Sequence, residues 1–266
     1  MINLKCFKKI VLMGMFFYLP FQSNAWGVLG HRIVGQIADS YLTKNTKQEI
    51  AKILGNESVA MSSTWADFIK SDPAYNYVSN WHYINLNGGL SKEQVQSYLE
   101  ADTATDAYTK INFMVAQLKN KALAQDKKLM YLRMLIHIAG DLHQPMHVGR
   151  LDDRGGNGIK VLWFGNHVNL HQVWDEKLID FQQLSYTEYA AAINYTTKKQ
   201  VRELQRQPVS QWVYQSYVYA QKIYSDITEP EQKLDYKYNF NYSGILNQQL
   251  LEGGVHLAGL LNEIFG

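Results

Sequence analysis

Residues 135–147 read LIHIAGDLHQPMH, and this stretch decides the fold around it. His137 and Asp141 are four residues apart, so a helix places both side chains on one face. Pro145 lacks a backbone donor and ends such a helix, which leaves His147 in the loop that follows. The stretch therefore predicts a helix that carries an imidazole and a carboxylate near its end, with a second histidine returning from the loop toward them.

A second segment repeats this arrangement. In residues 169–175, NLHQVWD, Asn169 is a suitable N-cap, and His171 and Asp175 are again four residues apart. Upstream, single candidates of the same kinds stand at His31, Asp67 and His82. One such pair alone is more often a hydrogen-bonded surface pair than a metal site. Imidazoles and carboxylates in this number, without thiolates, instead indicate a catalytic zinc site.

The HQPMH segment also invites comparison with a zinc-protease motif. In that motif two histidines one helical turn apart bind zinc, and a glutamate after the first is the general base. Here Gln144 takes the place of the glutamate, and Pro145 breaks the helix that would have to present both histidines. The segment therefore argues against a metalloprotease of that kind.

The rest of the chain reads as mainly α, a single-domain helical bundle with long loops and a small β-hairpin. Helical spacing is found at residues 28–41, 44–54, 91–100, 105–123, 127–142, 187–205, 210–225 and 242–265. The clearest strand signal is residues 158–164, followed by a Gly165-Asn166 turn and residues 167–170. No repeat or linker divides the chain, so one domain is expected.

Residues 1–25 have the features of a secretory signal peptide. Three lysines precede an apolar run at residues 10–21, and Ser23 and Ala25 are the small residues that precede a predicted cleavage before Trp26. The alternative is a membrane anchor, but the run is shorter than the ~20 apolar residues that a spanning helix needs. We therefore expect an exported protein without a membrane anchor, either periplasmic or secreted.

The predicted mature chain, residues 26–266, has a nearly balanced charge. The signal removes three lysines and no acidic residue, which leaves 23 Lys and Arg against 24 Asp and Glu. The single cysteine, Cys6, lies in the signal, so no disulfide is expected in the mature protein. This balance argues against a nucleic-acid binder with a lysine-rich surface. If the protein acts on phosphates, something other than its side-chain cations must supply the positive charge.

The combined motifs resemble the S1/P1 nuclease family, which consists of secreted, mainly helical zinc phosphodiesterases. The matching motifs, in chain order, are Trp26-Gly-x-x-Gly-His31, Trp65-Ala-Asp67, Trp81-His82-Tyr83, His137-x-x-x-Asp141-x-x-His-Gln-Pro-x-His147, Asp153-x-Gly-Gly-Asn157 and Asn169-Leu-His171-x-Val-Trp-Asp175. The resemblance implies a phospholipase C/P1 nuclease-like fold over residues 26–266. It also implies a monomer that acts on single-stranded nucleic acid and 3′-nucleotides.

The resemblance further implies three zinc ions, held by residues that match the family's ligands. One ion is assigned to Trp26, His31 and Asp141, the second to Asp67, His82, His137 and Asp141, and the third to His147, His171 and Asp175. Trp26 would contribute its free amine and its carbonyl oxygen. An α-amine has a pKa near 8 and loses its proton to a metal at modest cost. Signal cleavage would thus create a ligand that the precursor lacks.

The family pattern also suggests roles beyond metal binding. Asp67 would orient the attacking water, and Lys70 would stabilise charge on the pentacovalent phosphorus, unless it is an ordinary solvated lysine. Tyr83 stands where the family stacks an unpaired base on an aromatic ring. Asn157 can offer its amide to a base edge. Asn85 replaces an aspartate common at the matching place, which leaves the base preference open.

The sequence thus predicts hydrolysis of single-stranded RNA and DNA to 5′-phosphorylated products, together with 3′-nucleotidase activity. The alternatives are a zinc-dependent phospholipase C and a secreted zinc-binding protein without turnover. Asp175 favours the nuclease, because the phospholipases characteristically have glutamate as that last ligand. Three further histidines match no family ligand and are expected to be surface or hydrogen-bonded residues: His143, His167 and His256.

Overall fold

The computed structural model describes residues 26–266, and the predicted signal peptide at residues 1–25 lies outside the described residues. The described chain is mainly helical, as predicted. Its α-helices are α1 (Val28–Tyr41), α2 (Lys44–Leu54), α3 (Val59–Ser62), α4 (Trp65–Phe68), α5 (Lys92–Ala101), α6 (Ala107–Leu118), α7 (Gln125–Asp141), α8 (Leu170–Gln172), α9 (Leu178–Asp180), α10 (Tyr186–Ile193), α11 (Lys198–Leu204), α12 (Val209–Ser225) and α13 (Tyr236–Phe265). Within residues 26–266, no helix combines the length and apolar character needed to span a membrane.

Turns of 3₁₀-helix and π-helix connect several of these α-helices. The 3₁₀ turns are Ile69–Ser71, Pro73–His82 and Pro145–Val148, and Val173–Lys177 is π-helical. The π-helical turn joins α8 to α9, so the chain is helical without interruption from Leu170 to Asp180. π-Helical turns are rare and occur often at functional sites.

Helix α7 is the centre of the molecule. Every residue from Met134 to Asp141 is buried, because α1, α6 and α13 all pack against this helix. A helix that is surrounded on all sides normally carries only apolar residues there. His137 and Asp141 are fully buried exceptions, and burying such groups is costly unless they are paired or bind a metal.

The predicted hairpin forms, with a turn one residue earlier than expected. Strands β1 (Lys160–Trp163) and β2 (Asn166–Asn169) are antiparallel and pair Trp163 with Asn166, which leaves Phe164 and Gly165 as the turn. Both turn residues have positive φ, 47° and 83°, as this tight hairpin turn requires. The ring of Phe164 packs on Phe181, with centroids 5.2 Å apart, and this packing holds the disfavoured conformation.

The sheet has a third strand that the sequence did not reveal. Strand β3 (Gln232–Leu234) pairs in parallel with β1, so the strand order is β2-β1-β3. With three residues, two of them polar, β3 is too short to show an alternating pattern.

The helix expected over residues 187–205 is two helices, so that prediction was wrong. The chain leaves helical conformation after Ile193 and starts again after Thr197, whose side chain forms a capping box with Gln200. The capping box satisfies the free backbone donors of a new helix start, which stabilises the break. The hydroxyl of Tyr41 binds both Asn194 and Thr196 and anchors the connection.

Candidate metal centre

The side chains predicted to bind metal come from six parts of the chain that meet at the end of α7. Asp141 ends α7, His31 lies in α1, and Asp67 lies in α4. His82 ends the Pro73–His82 turn, His147 lies in the Pro145–Val148 turn, and His171 and Asp175 lie in the helical segment after β2. All of these side chains except that of Asp67 are buried, and Asp67 is partly buried.

Among the described residues, three groups of side chains could each hold a metal ion. The groups are His31, Asp67 and His137; His82, His137 and Asp141; and His147, His171 and Asp175. Within each group the candidate ligand atoms lie within 4.8 Å of one another. The third group is the set that the sequence predicted for one ion. The first group places Asp67 and His137, which were predicted for the second ion, beside His31, which was predicted for the first ion. The two predicted sites are therefore neighbours.

Asp141 lies between these two adjoining groups. Its Oδ1 is 3.3 Å from Nε2 of His31, and its Oδ2 is 3.1 Å from Nδ1 of His82 and 3.3 Å from Nε2 of His137. The two oxygens of one carboxylate therefore face different histidines. This is the arrangement that a carboxylate shared by two metal ions requires.

Backbone carbonyls fix the orientation of three of the histidines. The Nδ1 of His137, His147 and His171 donates to the carbonyl oxygens of Ser63, His82 and Gly155, each over 2.6 Å. A histidine that donates from Nδ1 in this way keeps its proton there and presents the lone pair of Nε2. The three rings thus have the tautomer that a metal ligand needs.

The donor set fits metal ions better than it fits a metal-free core. The Nε2 atoms of His31, His147 and His171 are buried and make no hydrogen bond. Buried polar atoms nearly always have a partner, and each exception requires an explanation. Neutral imidazoles and carboxylates that converge in this way match the ligand preference of zinc.

Burial also controls the charge of these groups. It lowers the pKa of the imidazoles of His31, His82 and His147, and it raises the pKa of the carboxyls of Asp141 and Asp175. The imidazoles are therefore held neutral, as metal binding requires. The carboxyls resist ionisation in the metal-free protein, and a divalent cation supplies the positive charge that favours their ionised form.

Asp67 and Lys70 form an ion pair at the edge of the centre. The Nζ of Lys70 is 2.5 Å from Oδ1 of Asp67, and Asp67 Oδ1 is also 3.6 Å from Nε2 of His137. Both side chains are mostly covered, and Lys70 lines the neighbouring cavity. Lys70 is thus a partly buried cation that faces the site, rather than a freely solvated lysine.

Trp26 packs against the same end of α7. It is fully buried, and the backbone N–H of Gly27 donates over 2.7 Å to the carbonyl of Asp175. A Cβ on Gly140 would lie 2.8 Å from Nδ1 of His31, so the ring of His31 needs a glycine there, and the same Cβ would lie 3.7 Å from Cδ1 of Trp26, in ordinary contact. Trp26 is therefore held beside His31. The sequence predicts that the amine and carbonyl oxygen of Trp26 bind the same metal ion as His31.

A cavity of about 700 Å³ opens beside the metal centre. Tyr83, Asn85 and Asn157, the residues predicted to contact substrate, all line it, together with His82 and His171. Backbone hydrogen bonds from Ile84 to His147 and from Leu86 to Gly149 hold the Tyr83–Asn85 segment against the metal-binding loop. The candidate metals and the candidate base-binding residues thus share one accessible space.

Several partners of the site could not be read from the sequence. Gln144, which the sequence showed only as a departure from the protease motif, donates from its side chain to Oδ1 of Asp175. His143 and His256 are buried and hydrogen-bonded to each other over 2.7 Å, whereas His167 is exposed. Arg154 lines the cavity and matched no predicted role.

Fold and site together define a metal-dependent hydrolase with a mainly helical fold. The sequence profile described as S1/P1 Nuclease matches residues 26–266. Endonuclease 2 of Arabidopsis thaliana is 27% identical over 274 residues, which cover 91% of each chain. Nuclease S1 of Aspergillus oryzae is 32% identical over 160 residues, covering 58% of this chain and 54% of its own. Nuclease P1 of Penicillium citrinum is 30% identical over 175 residues, covering 61% and 63% respectively.

The chain therefore belongs to the S1/P1 nuclease family. This result confirms the nuclease interpretation of the sequence and favours it over a zinc phospholipase C. The phospholipase C/P1 nuclease-like fold expected from the motifs is likewise confirmed.

Proposed function

We propose that this protein uses three zinc ions to hydrolyse single-stranded RNA and DNA to 5′-phosphorylated products, and that it also removes the phosphate from 3′-nucleotides. One observation carries the proposal most strongly. The cavity lined by the aromatic ring of Tyr83 and the amides of Asn85 and Asn157 is also lined by His82 and His171, which belong to two of the buried candidate metal groups. Names of relatives such as Nuclease S1 and Endonuclease 2 support the same activity.

Zinc at this centre would supply positive charge for the phosphate oxygens and would increase the acidity of the attacking water. Asp67 would accept a hydrogen bond from that water and point its lone pair at the phosphorus. Lys70, held by Asp67, would donate a hydrogen bond to a phosphate oxygen as negative charge develops. Breaking the bond between phosphorus and the 3′-oxygen leaves the phosphate on the 5′ side of the next nucleotide.

Recognition of the substrate would depend on unpaired bases. The ring of Tyr83 is 37% exposed, and its hydroxyl donates over 2.9 Å to Asn80, which fixes the ring at the mouth of the cavity. A base can stack on this ring only if it is not stacked and paired in a duplex. The amides of Asn85 and Asn157 would then contact the base edge.

The same proposal covers processing and location. Residues 1–25 would be removed during export to the periplasm or the medium, and the mature monomer would begin at Trp26, whose amine would complete the metal centre. Trp26, His31 and Asp141 would then bind one ion, Asp67, His82, His137 and Asp141 the second, and His147, His171 and Asp175 the third. Packing of Trp26 beside His31 supports this assignment.

Turnover by the mature protein, residues 26–266, tests the function. With zinc supplied, we expect loss of single-stranded RNA, single-stranded DNA and the phosphate of 3′-AMP, with much slower loss of duplex DNA. Asp141→Asn should lower each rate at least 100-fold, because it removes a shared ligand charge. Asp126→Asn is the matched control, since Asp126 is exposed at the other end of α7.

Two outcomes would contradict the proposal. Intact single-stranded nucleic acid after incubation with zinc-loaded protein would exclude the nuclease activity. Hydrolysis of phosphatidylcholine vesicles alone would instead place the same metal centre in a phospholipase.

A further inference from the structure

Arg154 lies at the wall of the cavity beside the metal centre. It lies in the Asp153-Arg154-Gly155-Gly156-Asn157 loop, and it lines the cavity together with Tyr83 and Asn157. Its side chain is exposed, and its guanidinium forms no ion pair or hydrogen bond with any residue between 26 and 266. A cation therefore projects from this loop with its donors available.

The loop holds the backbone of Arg154 in a fixed conformation. The N–H of Gly155 donates over 2.8 Å to the carbonyl of Arg150, and the N–H of Gly158 donates over 2.8 Å to that of Asp153. The side chain of Asp153 accepts from the N–H of Gly156 over 2.6 Å. Arg154 itself has φ of 56°, in the left-handed region that favours glycine and asparagine over arginine. Disfavoured backbone conformations of this kind cluster at functional sites.

The same loop is connected directly to a metal-binding residue. The carbonyl of Gly155 accepts from Nδ1 of His171 over 2.6 Å, and a Cβ on Gly155 would lie only 2.3 Å from the carbonyl oxygen of Met146. Close packing therefore fixes the residue after Arg154 relative to the metal centre. The backbone that carries the cation is thus held at a set position at the wall of the cavity beside the metal centre.

The two long basic side chains in the cavity lining differ in whether a carboxylate is paired with them. Lys70 also lines this cavity and also has a long basic side chain, but its Nζ is paired with Oδ1 of Asp67 over 2.5 Å. Metal ions held by the His and Asp groups would bind the oxygens of the phosphate that reacts. A polynucleotide brings further phosphates on either side of that one, and each carries a negative charge. Arginine matches phosphate oxygens with two parallel donors.

We infer that Arg154 binds a phosphate adjacent to the scissile one and so favours polynucleotides over substrates with a single phosphate. This inference rests on the proposed nuclease function. It adds a determinant of substrate length to a site whose other predicted contacts are to the bases and to the scissile phosphate.

The test compares two substrates that contain the same bond. The dinucleotide ApA has one phosphate, whereas the tetranucleotide ApApApA places neighbouring phosphates beside each scissile bond. In Arg154→Asn, we expect the ratio of kcat/KM for ApApApA to that for ApA to fall about tenfold, since a charge-assisted hydrogen bond is lost. Asparagine tolerates the left-handed backbone, so the loop should keep its fold.

Three further measurements separate phosphate binding from a structural effect. Arg154→Lys keeps the charge and should restore part of the ratio. The dependence of log kcat/KM for ApApApA on log salt concentration should lose about 0.7 from its slope in Arg154→Asn. Arg202→Ala, a matched change on the exposed face of α11, should behave like the unchanged protein in both respects.

Each outcome decides the inference. An unchanged ratio in Arg154→Asn would overturn it, as would an equal loss on both substrates, which would place Arg154 at the scissile phosphate or in the structure of the site. If the unchanged protein hydrolyses neither substrate, the proposed function itself fails, and that result is distinct from both.

Discussion

At the scale of single residues, a backbone carbonyl decides the orientation of three of the buried histidines. Ser63, His82 and Gly155 supply these carbonyls to His137, His147 and His171. Each carbonyl stabilises the tautomer that keeps Nε2 free for a metal. The side chain of Gln144 acts similarly on Asp175. The chemistry of the centre therefore depends on backbone carbonyls and a side-chain amide that are not themselves proposed to bind metal.

The proposal that the mature chain begins at Trp26, with a free amine, gives a prediction at this scale. Protein that begins with an added residue before Trp26 should bind about two zinc ions per chain instead of three, because the added peptide bond removes the basic amine. Metal analysis of the two forms after gel filtration measures this directly. Equal zinc content and equal turnover in both forms would show that the amine is not a ligand.

At the scale of elements, the N-terminus of α6 connects a carboxyl pair to the substrate cavity. Asp106 caps the helix by accepting from the N–H of Thr109 over 2.9 Å, and the N–H of Ala107 donates over 3.0 Å to the carbonyl of Tyr83. Burial, together with a hydrogen bond to Asp102, raises the pKa of Asp106 to about 7. This helix start therefore supports the backbone of Tyr83 and changes its charge near neutral pH.

The raised pKa of Asp106 predicts how stability varies with pH. A carboxyl whose pKa is higher in the folded state favours folding only while it is protonated, so its contribution declines as pH rises from about 4 to about 7. Asp106→Asn keeps the cap and removes this titration. The free energy of unfolding of Asp106→Asn, relative to that of the unchanged protein, should therefore increase as the pH rises from about 4 to about 7.

Urea denaturation at fixed zinc concentration, at intervals between pH 4.5 and 8, measures this difference. The metal centre titrates in both proteins, so its contribution cancels in the comparison. Parallel curves for the two proteins would show that Asp106 has an ordinary pKa.

At the scale of the whole molecule, the metal centre joins parts of the chain that are far apart in sequence. Residues from 26 to 175 converge on the end of α7, and α13 covers this helix on another side. The mature chain is expected to have no disulfide, because its single cysteine lies in the predicted signal. Metal ions that bind only the folded state would cross-link these segments in place of disulfides.

Removal of zinc should therefore destabilise the entire protein. Zinc at about 1,000 times its Kd stabilises a fold by ~4 kcal/mol, which is roughly 8 to 16 °C in Tm for a chain of this size. Chelation with EDTA should lower the Tm by about that amount, and added zinc should restore it. A Tm that is the same with and without EDTA would mean that the centre contributes nothing to stability.

The sequence alone determined the helical class, the bounds of several helices and the His and Asp residues proposed to bind metal, although α6 ends five residues earlier and α13 begins six residues earlier than their spacing predicts. Helix α1 and helix α2 begin and end where their hydrophobic spacing predicts, because one apolar face repeats over several turns. The His and Asp pairs were recognisable because a helix brings residues four apart onto one face. Local spacing is a property of the chain itself, so it can be read before the chain folds.

Only the tertiary structure decided how these pieces meet. Strand β3 exists because β1 offers an open edge, the hairpin turn moved because Phe164 packs on Phe181, and Arg154 lines the cavity because of the loop that holds it. Each of these features depends on contacts between residues distant in sequence. Such contacts leave no periodic pattern in the chain, because their energy arises only after distant segments have packed together.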